Sequence, residues 1–308
     1  MSVQILLGPQ SPKPNLKQVI DELEFTGPIV SITAGWRDSE GEIDDLRDEI
    51  GRPVDDAGIY HRAQDVFSRE PDFATLQRER QDKLLELQQL YRIRLNPVML
   101  AARKLLRMEG KADLLRLEQR AAISQVRALD RHHLRRLASI HRDFDARRAA
   151  MELPFATTQR DEVHAQVEGA GLVLIAGGHV AVLLNRIRLF RLGPILRRKP
   201  VIAWSAGAMV LGERIVLFHD DAPQGKRDAE VLDTGLGLVK NLVPLPHARS
   251  RLDWSSRTRM ALFSRRFAPA VCATLDNGSL IRVSDSRITA ATSSSMITRT
   301  GRKKGVKA

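Results

Sequence analysis

Residues 201–210 read Val-Ile-Ala-Trp-Ser-Ala-Gly-Ala-Met-Val, an apolar run that ends at a serine and continues through small residues. This pattern predicts a buried strand that turns at Ser205 directly into a helix, the arrangement known as a nucleophile elbow. A serine held in such a turn is exposed. A larger side chain at Ala206 or Gly207 would collide with the strand or with a bound substrate. Ser205 is therefore the first candidate catalytic residue.

Other apolar runs place this elbow in a larger sheet. Strands are predicted at residues 3–7, 28–34, 171–176, 214–218, 236–239, 270–274 and 279–283, with Asn277-Gly278 as a hairpin turn between the last two. Helical segments separate the first of these strands, and the strands themselves are almost continuously apolar. Such alternation is typical of a mostly parallel sheet with helices on both faces. We therefore expect an α/β fold with a three-layer αβα architecture.

Residues 60–150 have a different character. Leu84, Leu87, Tyr91 and Leu95 recur at helical spacing, and no strand-like run occurs. We predict an all-α insertion between a first part of the α/β domain at residues 1–59 and a second part at residues 151–295, with helix breaks at Pro97 and Gly110. The insertion has 17 arginines and a net charge of +8. Its role as a lid, a dimerisation arm or a binding surface stays open.

Composition and charge indicate which cellular compartment to expect for the protein. The 308 residues carry a net charge of +12, and five basic residues lie in residues 296–308, which we expect to form a disordered tail. The single cysteine, Cys272, excludes an intramolecular disulfide and fits a reducing compartment. No apolar run approaches the roughly 20 residues that span a bilayer. These features predict a cytoplasmic protein with no membrane partner.

Acyl transfer by a serine needs a general base, a group that orients the base, and donors for the oxyanion. His247 and Asp220 follow Ser205 near the ends of predicted strands, where the carboxyl ends of parallel strands converge. Asp221 is a near alternative to Asp220. The turn at Gly177-Gly178 ends a neighbouring strand and supplies a backbone amide that pairs with the amide of Ala206 as an oxyanion hole.

These motifs resemble the dipeptidase E and cyanophycinase family of serine peptidases, whose fold is similar to that of class I glutamine amidotransferases. The resemblance rests on residues 204–208, Gly177-Gly178 and Pro246-His247, and it covers residues 160–285 well and residues 1–55 weakly. It implies that Ser205 is the nucleophile, His247 the base and Asp220 the third member, with oxyanion amides from Gly178 and Ala206.

Known members of that family cleave beside aspartyl residues. The resemblance therefore implies hydrolysis of a small acidic peptide through an acyl-enzyme, without a metal or organic cofactor. His179 and Arg249 lie beside the expected pocket and are the candidate substrate-binding residues, and Arg251 is a further candidate for a substrate carboxylate.

Other functions remain as alternatives. One is a catalytically degenerate protein whose basic insertion binds nucleic acid or an acidic partner, although aromatic residues are scarce in the insertion. An amidotransferase requires a cysteine at the elbow. An α/β-hydrolase usually places its acid and histidine farther downstream than the 15 and 42 residues found here. A homodimer is also left open.

Overall fold

The computed structural model describes residues 3–220 and 227–307. The strands of this part are β1 (Val3–Leu7), β2 (Ile29–Ile32), β3 (Val54–Asp56), β4 (Leu172–Ile175), β5 (Val201–Trp204), β6 (Arg214–Leu217), β7 (Glu230–Thr234), β8 (Leu242–Pro246), β9 (Val271–Leu275), β10 (Leu280–Ser284), β11 (Arg287–Thr292), β12 (Ser295–Ile297) and β13 (Lys303–Gly305).

The helices of the same part are α1 (Leu16–Asp21), α2 (Asp44–Ile50), α3 (Ile59–Arg69), α4 (Pro71–Arg107), α5 (Ala112–Ala149), α6 (Pro154–Gly169), α7 (Val180–Leu189), α8 (Gly193–Leu196), α9 (Ala206–Leu211), α10 (Ala248–Arg251) and α11 (Arg257–Phe267). A short 3-10 helix spans Ala34–Ser39. No helix of the described residues is both long enough and apolar enough to cross a membrane.

A seven-stranded sheet forms the centre of the molecule, in the order β11-β10-β1-β5-β4-β2-β3. Strands β1, β5, β4, β2 and β3 are parallel, whereas β10 pairs antiparallel with β1 and the edge strand β11 pairs antiparallel with β10. The elbow strand β5 lies between β1 and β4, near the middle of the sheet. The predicted α/β fold with a mostly parallel sheet is confirmed.

Both faces of this sheet are buried, which explains why its strands are continuously apolar. In β4, Leu172 and Leu174 pack into the same cluster as the residues of α1 and α2. Val173 and Ile175 point to the opposite face, into the cluster that includes Leu183 of α7 and residues of α9. This alternation with period two produces the layered arrangement of helix, sheet and helix.

Two smaller sheets complete the fold and correct the expected strand pattern. Strands β13, β12, β9 and β8 form a four-stranded sheet in which β8 and β9 are parallel, whereas β6 pairs only with β7 in an antiparallel ribbon. The Asn277-Gly278 turn therefore joins two different sheets instead of closing a hairpin. The prediction of a strand at residues 236–239 is wrong, because this segment is an irregular connection held by bonds to the backbone of Val210 and Leu211.

The basic C-terminal segment is ordered through residue 307, contrary to the expected disordered tail. Strand β12 pairs with β9 and β13, and the Lys303 ammonium lies 3.7 Å from the centre of the Trp254 ring. The Arg265 side chain also donates a hydrogen bond of 2.9 Å to the Arg299 carbonyl. The segment is fixed because its backbone completes a sheet edge, while the side chains of β13 remain exposed.

Helices α4 and α5 pack side by side as a long antiparallel pair, and α4 is about 55 Å long at the usual rise per residue. The expected break at Pro97 does not occur. Pro97 lies inside α4 on its exposed face, while Leu95 and Met99 are buried. The burial of these apolar side chains outweighs the hydrogen bond that proline removes.

A buried ionic network fastens the helical pair to α11. The fully buried Arg266 guanidinium donates from Nε and Nη2 to the Asp130 carboxylate at 2.7 Å each, and from Nη2 to the Tyr91 hydroxyl at 2.7 Å. Tyr91 in turn donates to Asp130 Oδ1 at 2.7 Å. Every member depends on the others, because a buried charge without its partner is strongly destabilising.

We expect Asp130→Asn to lower the free energy of unfolding by about 3–5 kcal/mol, since it leaves the Arg266 cation buried without a counter-charge. The matched control is Glu79→Gln, which breaks the half-exposed Glu79–Arg147 pair between the same two helices and should cost less than about 1 kcal/mol. Urea unfolding of both variants measures the difference. Equal losses would contradict a stabilising role for the buried network.

Candidate active site

Ser205 occupies the sharp turn between β5 and α9. Its backbone has φ 51° and ψ −119°, a conformation that non-glycine residues rarely adopt. Such strain persists only where the surroundings enforce it. The Ser205 amide donates to the carbonyl of Leu7 in the neighbouring strand at 3.3 Å, which ties the turn to the centre of the sheet.

Close backbone contacts explain the small residues around this turn. A Cβ atom on Gly207 would lie 2.2 Å from the Ile175 carbonyl oxygen, so only glycine allows α9 to pack against the end of β4. Gly178 has φ 97°, and a Cβ there would lie 2.4 Å from the Gly35 carbonyl oxygen. The glycines therefore bring the loops after β2, β4 and β5 into backbone contact.

His247 follows β8 and faces the serine. Its Nε2 atom lies 3.1 Å from Ser205 Oγ, which is hydrogen-bonding distance. The His247 backbone is left-handed, with φ 57°, and its amide donates to the Leu275 carbonyl of β9 at 3.1 Å. The structure thus brings together the two residues that the sequence proposes as nucleophile and base, although they lie on strands of different sheets.

Asp220 does not meet the expectation that it orients His247. Its Oδ1 accepts from Arg259 Nη2 at 2.7 Å, and its Oδ2 accepts from the Asp253 amide at 2.7 Å. The expectation placed Asp220 at the carboxyl end of a strand in the parallel sheet, but β6 belongs to a separate antiparallel ribbon. Asp220 instead holds the segment after α10. The alternative acid, Asp221, lies outside the described residues.

Asp276 is a carboxylate near His247 that is absent from the site residues predicted from the sequence. It follows β9 directly, beside the end of β8 where His247 lies, and its charge raises the pKa of His247. Its Oδ1 accepts a hydrogen bond of 2.8 Å from the Arg249 amide, which fixes the carboxylate next to α10. Its position immediately after the apolar run that ends at Leu275 was the available signal.

Two backbone amides are placed to receive an oxyanion. Gly178 and Ala206 line the same cavity as Ser205. In the described part of the chain, neither amide donates to a backbone carbonyl, whereas the neighbouring His179 amide donates to Gly35 at 2.7 Å. Unused amides beside a nucleophile can stabilise negative charge that develops on a carbonyl oxygen.

The cavity at Ser205 has a volume of about 370 Å³. Besides the catalytic turn, its walls contain Met209, Leu217, Phe218 and Pro246 as apolar residues and Arg92, Arg227, Arg251, Asp228 and Glu230 as charged residues. Arg92 belongs to α4 and bonds Glu230 Oε2 at 2.7 Å, so the helical segment contributes directly to the wall of the site.

The two expected substrate-binding residues lie elsewhere. The His179 side chain is exposed and accepts a hydrogen bond from the Val182 amide at 3.3 Å, which caps α7. Arg249 is also exposed, and neither residue lines the cavity. Arg251, two residues farther along α10, does line it and has no carboxylate partner among the described residues. Arg251 therefore takes the place of Arg249 as a candidate to bind a substrate carboxylate.

The surroundings of His247 favour its neutral form. Burial lowers the pKa of His247 below its usual value of 6.5, and the nearby Arg251 guanidinium lowers it further, while Asp276 opposes these effects. Burial also lowers the pKa of Arg251. A neutral imidazole at physiological pH is the form that can accept the serine proton.

Comparison with known proteins agrees with this chemistry. Residues 127–291, more than half of the chain, match the model of Peptidase family S51. Fourteen chains of solved structures match, among them a peptidase from an acI-B1 Actinobacterium with 12% identity and a TM-score of 0.47, over 100% of this chain and 95% of that one. No curated protein matches significantly. Since family S51 includes dipeptidase E and cyanophycinase, the resemblance noted in the sequence is confirmed, and the chain belongs to peptidase family S51.

Proposed function

We propose that this serine-type peptidase hydrolyses an amide bond in a short acidic peptide through an acyl-enzyme on Ser205. The distance of 3.1 Å between Ser205 Oγ and His247 Nε2, at the wall of a cavity, is the observation that carries the proposal. A serine becomes a useful nucleophile only when a base lies within reach of its hydroxyl proton.

The reaction follows from the position of each group. His247 takes the Ser205 proton as Oγ attacks the substrate carbonyl, and the resulting oxyanion accepts hydrogen bonds from the amides of Gly178 and Ala206. The protonated imidazole then gives its proton to the leaving amine. Asp276 stabilises the imidazolium by its charge. Water, deprotonated by His247, hydrolyses the acyl-enzyme and regenerates Ser205.

Charge in the cavity supports an acidic substrate. Asp228 is paired with Arg103, and Glu230 with Arg92, so the two carboxylates of the wall already have cationic partners. Arg251 remains without such a partner in the described chain and lies near His247, where it lowers the pKa of the imidazole. An unpaired guanidinium at this position suits a substrate carboxylate close to the scissile bond.

Several arginines of the helical segment bind groups within the protein itself, which weakens the case for a nucleic-acid partner. Arg80 and Arg148 are buried, and Arg148 donates to the Leu189 carbonyl at 2.8 Å. Arg127 donates to the Arg265 carbonyl, and Arg92 lines the catalytic cavity. Much of the basic charge therefore holds helices to the α/β core instead of forming one exposed stripe.

A fluorophosphonate probe should label the protein at Ser205, because His247 activates this hydroxyl. We expect Ser205→Ala to abolish both labelling and hydrolysis of aspartyl dipeptides, while the exposed control Ser68→Ala keeps both. Peptide mapping by mass spectrometry identifies the labelled residue. A folded protein that takes up no probe would argue against the proposed nucleophile.

We expect Asp276→Asn to lower kcat by about 100-fold or more, since the imidazolium loses its counter-charge. It should also move the acidic limb of the pH profile of kcat/KM to lower pH, because Asp276 raises the pKa of His247. Asp220→Asn is the comparison and should leave this limb in place. The assignment fails if Asp220→Asn moves the limb and Asp276→Asn does not.

Arg251→Gln should move the same limb in the opposite direction, to higher pH, because the guanidinium holds the pKa of His247 down. We also expect KM for an aspartyl dipeptide to rise by about tenfold, with little change for its asparaginyl counterpart. Arg249→Gln, on the exposed side of α10, is the matched control. A similar rise in KM for both dipeptides would contradict a direct contact between Arg251 and the substrate carboxylate.

A further inference from the structure

A second cavity lies between α4, α5, α7 and β7, away from Ser205. Its volume is about 160 Å³, enough for a small organic molecule. It shares only the side chain of Arg92 with the lining of the catalytic cavity. None of the residues that act in the proposed reaction lines it.

One part of this cavity is apolar. Leu84 and Leu85 of α4 face Leu137 of α5, and Leu184 of α7 and Leu232 of β7 complete the wall. Leu137 and Leu184 are almost completely buried, whereas Leu85 is 55% exposed and lies at the outer rim. An apolar chain of a few carbons can be shielded from water here.

The other part carries a buried cation. Arg80 lines the cavity and is only 6% exposed, and in the described residues it forms no ion pair with a carboxylate. Its Nη2 donates to Asn185 Oδ1 at 2.9 Å, and its Nε has no hydrogen-bond partner. Burial and the nearby Arg188 guanidinium lower the pKa of Arg80 to about 10, although the charges of Asp145 and Asp233 oppose this shift. A buried charge of this kind is costly unless an anion accompanies it.

The remaining charges of the wall already compensate one another. Arg188 Nη1 lies 2.7 Å from Asp233 Oδ2, and His141 Nε2 lies 3.0 Å from the same oxygen. Asp233 therefore presents no free negative charge that would repel an anion. Arg92 is paired with Glu230. The Arg80 guanidinium lies over the Phe144 ring, 4.0 Å from its centre, and among the described residues Arg80 is the arginine of this wall that forms no ion pair with a carboxylate.

We propose that this cavity is a second binding site, which takes a small monocarboxylate with a short unbranched apolar chain. The carboxylate binds the Arg80 guanidinium and the Asn185 side chain faces it, while the chain lies between Leu84, Leu137 and Leu232. The site does not depend on the proposed reaction, because it uses neither Ser205 nor His247.

Hexanoate is the probe, and hexanol, which has the same chain without the charge, is its comparison. We expect hexanoate to bind about tenfold more tightly than hexanol in an NMR titration of the full chain, since the carboxylate gains hydrogen bonds to a charged group that the alcohol does not match. Arg80→Gln should remove this preference. The control Arg78→Gln, an exposed arginine on the same helix, should retain it.

Two further variants keep the test decisive if Arg80→Gln fails to fold. Leu84→Trp fills the apolar part, leaves Arg80 in place and should weaken hexanoate binding by about tenfold. Arg251→Gln removes a cation of the catalytic cavity and should leave hexanoate binding unchanged. The proposal is overturned if hexanoate and hexanol bind equally, if Leu84→Trp binds hexanoate as the unchanged protein does, or if Arg251→Gln abolishes binding.

Discussion

The position of Ser205 and of the backbone amides around it depends on close backbone packing at the carboxyl ends of β2, β4 and β5. A Cβ on Gly35 would lie 2.2 Å from the Gly177 carbonyl oxygen, and one on Gly207 would lie 2.2 Å from that of Ile175. These contacts hold Ser205 at a positive φ and leave the Gly178 amide beside it. Glycines that perform no chemistry themselves therefore place the proposed nucleophile and the proposed oxyanion donors.

The other two residues of the proposed catalytic site, His247 and Asp276, follow strands of a different sheet. Parallel pairing of β8 with β9 puts His247 and Asp276 at neighbouring strand ends, and the bond from the His247 amide to the Leu275 carbonyl fixes their spacing. Helix α4 then forms part of the cavity wall through Arg92. The buried Arg266–Asp130 pair anchors the helical hairpin to α11, so the shape of the site depends on contacts far from the serine.

The sequence predicts the features that depend on local pattern and fails where distant pairing decides. Residues 201–210 suffice to identify the elbow at Ser205, because a strand, a tight turn and a helix follow one another directly. The prediction of Asp220 requires β6 to belong to the parallel sheet, whereas β6 pairs with β7 in an antiparallel ribbon. Asp276 is absent from the predicted site, because only the pairing of β8 with β9 places the end of β9 beside His247.

In the helical and C-terminal segments, too, contacts between distant residues override the local sequence pattern. Pro97 is a strong local signal for a helix end, but the buried faces of α4 and α5 keep the helix continuous through it. The five basic residues near the C-terminus are typical of a solvated tail. In the structure, however, β12 pairs with β9 and β13 pairs with β12. His179 and Arg249 lie close to the site in sequence but point away from its cavity, since side-chain direction depends on the turn geometry.

The most direct measurement of the central claim is mass spectrometry of the intact protein, quenched with acid during turnover of an aspartyl ester. The account predicts a mass increase of one aspartyl group, located at Ser205 by peptide mapping, which accumulates in the Asp276→Asn protein as deacylation slows. Hydrolysis without any acylated protein, or an acyl group on another residue, would contradict the account.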